Sequence, residues 1–238
     1  VWPLYPYKFN FEEVFLIYLN NLITQDLLGG VQGVIFDCDG VLIDSLDANT
    51  WYYNTFREHF GLPPMDDELR DYTHAHTIGE SIKRLVPPEK LEEAWAYRDQ
   101  FDYCRVLPYV LLESGLREVL GWLRSAGLRM AINTSRTDTL DLILDHFDLA
   151  EFFYPTITSY KVSHPKPHPE GMHAILEAWR MRPDDVVYIG DTSVDERSAE
   201  AAGVRFWSFK NVYLKAELMI PDFWTLLAYF RRTYGFSG

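Results

Sequence analysis

The sequence predicts an α/β protein: a parallel sheet with helices on both faces and a helical segment inserted after the first strand. Three observations carry this. Short apolar runs at Val31–Phe36, Leu128–Asn133, Phe152–Thr158 and Val186–Gly190 each end in polar or glycine-containing residues. Helical patterns separate the last three runs, and such alternation favours a parallel sheet covered on both sides. The interval from Leu46 to Leu107 holds helical patterns without a strand.

In chain order, the first 30 residues are rich in aromatics, and Phe11–Leu28 reads as an amphipathic helix ended by Gly29-Gly30. Its uncharged stretch, Val14–Gln25, is too short to span a bilayer, and Glu12 and Glu13 stand where a secretory signal needs positive charge. No membrane association is expected. Val31–Phe36 has the length and branching of a buried strand. Helices are predicted at Ala48–Phe60, Asp67–His74, Gly79–Leu85 and Glu89–Tyr103, divided by Pro63-Pro64 and Pro87-Pro88, with Pro108 marking the return to the main unit. Further helices follow at Gly115–Ser125, Thr137–Phe147, Pro169–Met181 and Asp195–Ala202, then an aromatic tail, Val212–Tyr234. The predicted organisation is an N-terminal helical extension (1–30), a core domain (31–45 and 108–238) and a helical cap domain (46–107). The terminal aromatic segments could cover each other or form a homodimer interface.

A formal charge of -13 opposes nucleic-acid binding, which needs a clustered Lys/Arg face. A small phosphorylated metabolite is still admissible, because a metal and one or two local cations override the global charge. Two cysteines, Cys38 and Cys104, make no disulfide framework and point to a reducing cytoplasm. Cys38 reads as a small packing residue.

In open parallel sheets ligands bind beyond the carboxyl ends of the strands, so the polar clusters there converge. Asp37 and Asp39 follow the first strand. In extended chain, residues i and i+2 project to one side, so both carboxylates can address one reacting group; mutual repulsion would keep one protonated as an acid while the other attacks. Asp191 ends another strand and suits a hard cation such as Mg²⁺, which takes oxygen ligands. Asp195 could reach the metal's waters, orient a lysine, or simply cap the next helix. Lys166, framed by Pro165 and Pro167, would offset carboxylate repulsion and hold phosphate. Thr134-Ser135-Arg136, at a strand end opening a helix, suits an anion. In the inserted segment His74, His76, Arg70 and Lys83 are candidate substrate contacts, with Gly79 as a hinge.

In this order the four clusters resemble the haloacid dehalogenase superfamily, in its branch with a helical cap inserted after the first strand. The likeness runs from about Val31 to Ser208. Asp37-Cys38-Asp39-Gly40-Val41 looks like the family's first motif, Thr134 its second, Lys166 its third, and Gly190-Asp191 with Asp195 its fourth. The resemblance implies a Rossmann-like core in which Asp37 attacks phosphorus to form an aspartyl-phosphate and Asp39 serves as general acid and base. It implies Mg²⁺ held by the Asp37 carboxylate, the Asp39 backbone carbonyl and Asp191, with Thr134, Ser135 and Lys166 on the phosphate. Dehalogenases and phosphonatases of the superfamily lack the second Asp, and hexose-phosphate mutases usually carry a basic cap-loop residue that Thr77-Ile78-Gly79 does not supply. A phosphatase resembling phosphoglycolate phosphatases is expected. The alternatives are a phosphomutase or phosphotransferase of the β-phosphoglucomutase type, and a non-catalytic interaction protein on the same scaffold.

Overall fold

The computed structural model describes residues 26–75 and 77–235. Among the described residues six strands form one sheet: β1 (Gly33–Phe36), β4 (Arg129–Asn133), β5 (Thr156–Ile157), β6 (Val186–Gly190), β7 (Arg205–Phe209) and β8 (Leu218–Ile220). Their order is β5-β4-β1-β6-β7-β8, with every pairing parallel. Because β1 lies between β4 and β6, the chain builds outward on one side and then crosses to the other. The strand order therefore reverses at β1, where a parallel sheet opens its crevice.

Alternation along each strand supplies both faces of the core. Val34 and Phe36 of β1, Met130 and Ile132 of β4, and Val187 and Ile189 of β6 join one apolar cluster. Ile35, Ala131, Val186 and Tyr188 join the other. Helices α5 (Leu116–Ser125), α6 (Leu140–His146) and α9 (Phe223–Tyr234) contribute to the first cluster; α7 (Glu170–Trp179) and α8 (Ser193–Ala202) cover the second. Burial on both sides explains why these strands read as continuous apolar runs.

After β1 the chain forms a short strand, β2 (Ile43–Asp44), and leaves the sheet. It returns at β3 (Leu111–Leu112), antiparallel to β2, with Ile43 opposite Leu112. Between them lie α1 (Leu46–His59), α2 (Asp67–Ala75), α3 (Ile78–Leu85) and α4 (Leu91–Gln100). Tyr52 anchors their aromatic core, meeting Phe56 and Phe101 edge-on at 5.1 Å each. Such pairs add about 0.5–1.5 kcal/mol beyond area burial.

Several boundaries differ from the sequence expectation. The predicted strand Phe152–Thr158 shrinks to β5, because Ala150–Phe152 forms a 3-10 turn and Pro155 has no N–H to donate. The helix expected over Glu89–Tyr103 begins as a separate turn, Pro88–Lys90, and that expected over Thr137–Phe147 starts only at Leu140. Gly79, expected as a hinge, lies in the first turn of α3, which Thr77 and Glu80 close with a capping box. The aromatic tail contains β8 and α9, whose Phe223, Tyr229 and Phe230 are buried within this chain; Trp122 of α5 stacks on Phe230 at 4.6 Å.

The expected helix Phe11–Leu28 lies outside the described residues except at its end. There residues 27–30 form a turn and no helix, and the aromatic tail packs against it. Tyr234 donates to Asp26 at 2.6 Å and accepts from the Leu28 N–H at 2.9 Å, and Arg205 donates to the Leu27 carbonyl at 3.0 Å. Among the described residues, no helix is long and apolar enough to cross a membrane.

Candidate active site

Asp37 continues β1 past its last residue, its N–H donating to the Ile189 carbonyl of β6 at 2.9 Å. Asp191 follows β6, Thr134 follows β4, and Asp195 lies in the first turn of α8. The parallel register brings these ends together at the β1 crevice.

The turn after Asp37 depends on Gly40. Its φ is +74°, which strains any residue with a side chain, and a Cβ there would overlap the Asp191 carboxylate. Glycine thus lets the first acidic segment approach the second.

Lys166 is the hub of one half of the site. Its buried Nζ lies 2.6 Å from Asp195 Oδ1 and 2.9 Å from Asp37 Oδ1, and it donates to the Tyr188 hydroxyl at 3.0 Å. The contact to Asp37 is an ion pair off the hydrogen-bond line, which leaves Asp37 Oδ1 without a hydrogen bond. Tyr188 donates in turn to Asp195 Oδ1 at 2.6 Å, while the Thr192 hydroxyl and N–H donate to Oδ2 at 2.6 and 3.0 Å. Asp195 therefore orients the lysine and also closes the capping box of α8; two of the roles expected for it coexist.

Arg136 dominates the other half, which sequence reasoning did not foresee. Its Nε and Nη2 donate to the two Asp39 oxygens at 2.7 Å each, and Nη1 donates to Tyr103 at 2.9 Å and Thr139 at 3.0 Å. Ser45 also donates to Asp39. Arg136 thus serves a carboxylate of the chain instead of an anion from solution. Thr134 is buried beside it, its hydroxyl accepting from the Arg136 N–H at 3.2 Å, whereas Ser135 is exposed.

These partners separate the two aspartates. Burial pushes Asp39 up, but the Arg136 guanidinium, its hydrogen bonds and that of Ser45 outweigh burial and hold the carboxyl below its usual range. For Asp37, burial again pushes up; Lys166 pulls down, Asp195 and Asp39 push up, and the balance lifts it to about 7. Burial, then Asp37 and Asp195, lift Asp191 to about 8. The two carboxyls are split, but in the reverse of the expected sense and by burial and their cations more than by mutual repulsion: with protein groups alone Asp39 is the lowered member and Asp37 the raised one. Cys38 is raised by burial and remains a thiol.

This imbalance bears on a cation. Carboxylate oxygens of Asp37, Asp191 and Asp195 lie within 4.8 Å of one another, and both Asp37 and Asp191 keep a buried oxygen without a hydrogen bond. Asp195 is fully engaged by Lys166, Tyr188 and Thr192, and the Asp39 carboxylate by Arg136 and Ser45. Asp191 Oδ1 is therefore free and Asp37 meets only the Lys166 ammonium through Oδ1, which leaves these two carboxylates for a cation, and an all-oxygen set of this kind suits a hard divalent ion. A cavity of about 290 Å³ opens beside Asp191, lined also by Gly40, Ser45 and Asn211.

The inserted helices reach this end of the sheet. Arg98 of α4 pairs with Asp138 at 2.8 Å, and Tyr103 touches Arg136. Arg70 pairs with Asp67 within α2. His76 and the His74 side chain lie outside the described residues.

Residues 34–209 match the family described as haloacid dehalogenase-like hydrolase. The chain belongs to that family. It is 27% identical over 188 residues to a phosphoglycolate phosphatase of Chromobacterium violaceum, covering 73% of this chain and 82% of the relative. It is also 27% identical over 208 residues to the pyrophosphatase PpaX of Bacillus cereus, covering 81% and 91%. A solved structure from Geobacter sulfurreducens, a haloacid dehalogenase-superfamily hydrolase of subfamily IA, superimposes with a TM-score of 0.73 at 32% identity, covering 84% of this chain and 96% of that one. The likeness reaches the phosphoglycolate phosphatase-like branch of the haloacid dehalogenase-like hydrolases.

Proposed function

We propose that this hydrolase is a Mg²⁺-dependent phosphatase of small phosphate monoesters that works through an aspartyl-phosphate on Asp37. The observation that carries the reading is the Asp37 carboxylate, buried at the end of the central strand between Lys166 and Asp191. The phosphatase and pyrophosphatase relatives support phosphorus as the atom attacked.

In this reading an Asp37 oxygen attacks phosphorus, the phosphorus–ester oxygen bond breaks, and Asp39 gives a proton to the leaving oxygen. Asp39 then takes a proton from water, whose oxygen attacks the phosphoryl group and frees Asp37 and inorganic phosphate. Splitting one displacement into two lowers each barrier. Lys166 and Thr134 hold phosphate oxygens, and Asp195 with Tyr188 keeps the ammonium in place. Arg136 holds Asp39 as a carboxylate, so Asp39 acts as an acid only on taking up a proton and turning from the guanidinium toward the leaving oxygen. Asp37, the Asp39 backbone carbonyl and Asp191 would hold the Mg²⁺, whose bound charge offsets repulsion between nucleophile and phosphate. Residues 46–107 act as a cap that excludes water and meets the leaving group.

A panel of phosphomonoesters assayed with Mg²⁺ and with chelator tests this reading. Mg²⁺-dependent release of inorganic phosphate is expected. Isomerised sugar phosphate without release would instead identify a mutase.

A further inference from the structure

A second cluster of metal-ligating side chains lies on the loop that delivers Lys166 and the first residue of the helix that follows it. Among the described residues only two groups bring three metal-ligating side chains within 4.8 Å. One is the acidic set already described; the other is His164, His168 and Glu170. Lys166 stands between the two histidines in Ser163-His164-Pro165-Lys166-Pro167-His168-Pro169-Glu170, its own side chain buried while both histidines are exposed.

We propose that His164, His168 and Glu170 form a binding site for a divalent transition-metal ion of the zinc class. The geometry is partly assembled. His164 Nδ1 lies 2.8 Å from Glu170 Oε2, and the two imidazoles are 4.7 Å apart, inclined at 35°. Glu170 is fixed from behind, its Oε1 accepting the Ser163 N–H at 2.8 Å and its Oε2 the His164 N–H at 2.9 Å. Support of this kind orients a ligand carboxylate and holds it ionised. The His168 N–H donates to the Pro165 carbonyl at 3.0 Å, closing a turn between the two histidines. Pro165, Pro167 and Pro169 limit the backbone freedom lost on binding. Two contacts compete with a metal: the 2.8 Å His164 Nδ1–Glu170 Oε2 pair, in which the ion would take the place of the proton, and the long one from the Glu170 N–H to His168 Nδ1 at 3.2 Å, which His168 relinquishes on turning its exposed ring.

Donor chemistry separates this site from the acidic one. Imidazole nitrogens select zinc, copper, nickel or cobalt, whereas carboxylate and carbonyl oxygens suit magnesium. Bonds near 2.0–2.2 Å in tetrahedral array set ligand atoms roughly 3.4 Å apart, so small side-chain rotations complete three ligands and leave a fourth position for water. An ion there would tie together residues on both sides of Lys166.

The test is a Co²⁺ titration of the untagged full chain in saturating Mg²⁺, which occupies the all-oxygen site, followed by visible absorption. Wild-type protein should bind one equivalent with an intense low-symmetry d–d band, and Zn²⁺ should displace it. His164→Ala and His168→Ala should each weaken binding by more than about tenfold, since even losses outside the first coordination sphere cost that much. Both residues are exposed, so an unchanged melting temperature in the variants excludes misfolding as the cause. Binding of equal affinity in the His164→Ala/His168→Ala double variant, or the absence of the band in the wild type, would overturn the proposal.

Discussion

Lys166 faces two carboxylates with one ammonium, and Arg136 faces Asp39 alone. That difference decides what each acid can do. Asp39 has a full charge partner and is held ionised; Asp37 shares its cation with Asp195 and is raised. Lys166→Met should leave both acids buried without their cation, lowering kcat by roughly 10²–10³-fold, the usual cost of losing a preorganised electrostatic group. Steady-state assays beside thermal melts measure both consequences. Arg136→Met should destabilise the fold by about 3–5 kcal/mol in urea titrations, as expected when one partner of a buried pair is removed. At this scale the acids and Lys166 were legible, because Asp-x-Asp-Gly after an apolar run and a lysine between prolines are local signals. The Arg136–Asp39 pair was not, since its members are 97 residues apart. Arg136 was visible only as part of a cluster suited to an anion; nothing local showed that the anion would be Asp39. Ser45 and Tyr188 lie only six and seven residues from Asp39 and Asp195, but neither belonged to a motif that marked it.

At the scale of elements, the site is made by turns that leave parallel strands, and the tightest is the one through Gly40. Gly40→Ala combines a left-handed backbone, about 1–2 kcal/mol for a residue with a Cβ, with overlap on Asp191. It should reduce Mg²⁺ affinity more than it lowers the melting temperature, and calorimetric Mg²⁺ titration against thermal unfolding separates the two. The strands β1, β4 and β6 were readable because burial on both faces demands uninterrupted apolar residues. β7 and β8 were not assigned. Leu218–Ile220 is too short to show a period, and its extended state comes from pairing with β7, a tertiary cause. The opposite happened at Phe152–Thr158, where apolar composition suggested a strand that Pro155 and a 3-10 turn curtail. The four helices of the inserted segment were visible because helical patterns run through it without a strand, with Pro63-Pro64 and Pro87-Pro88 marking two of the breaks.

Across the whole molecule, the formal charge of -13 concentrates its cost at the sheet's carboxyl end, where Asp37, Asp191 and Asp195 face Lys166. The pH dependence of stability follows from the raised groups. Asp37 and Asp191 move from 3.8 to about 7 and about 8, so between those values the folded chain binds more protons than the unfolded one. Stability must then fall as pH rises through that window. In chelator, the melting temperature should decline from about pH 5 to pH 8, and Mg²⁺ should restore more of it at the upper end, where the acids are ionised. A melt series with and without Mg²⁺ checks the sign; stability that climbs with pH in chelator contradicts it. The central claim, that Asp37 carries the phosphoryl group, is tested most directly by trapping it. Asp39→Asn keeps the nucleophile but lacks the base that admits water, and an aryl phosphate needs little help from an acid to depart. Rapid acid quench of that variant with a ³²P-labelled aryl phosphate and Mg²⁺, followed by peptide mapping, should place the label on Asp37. Continued phosphate release with no label at Asp37, or Mg²⁺-dependent turnover retained by Asp37→Asn, would contradict the account.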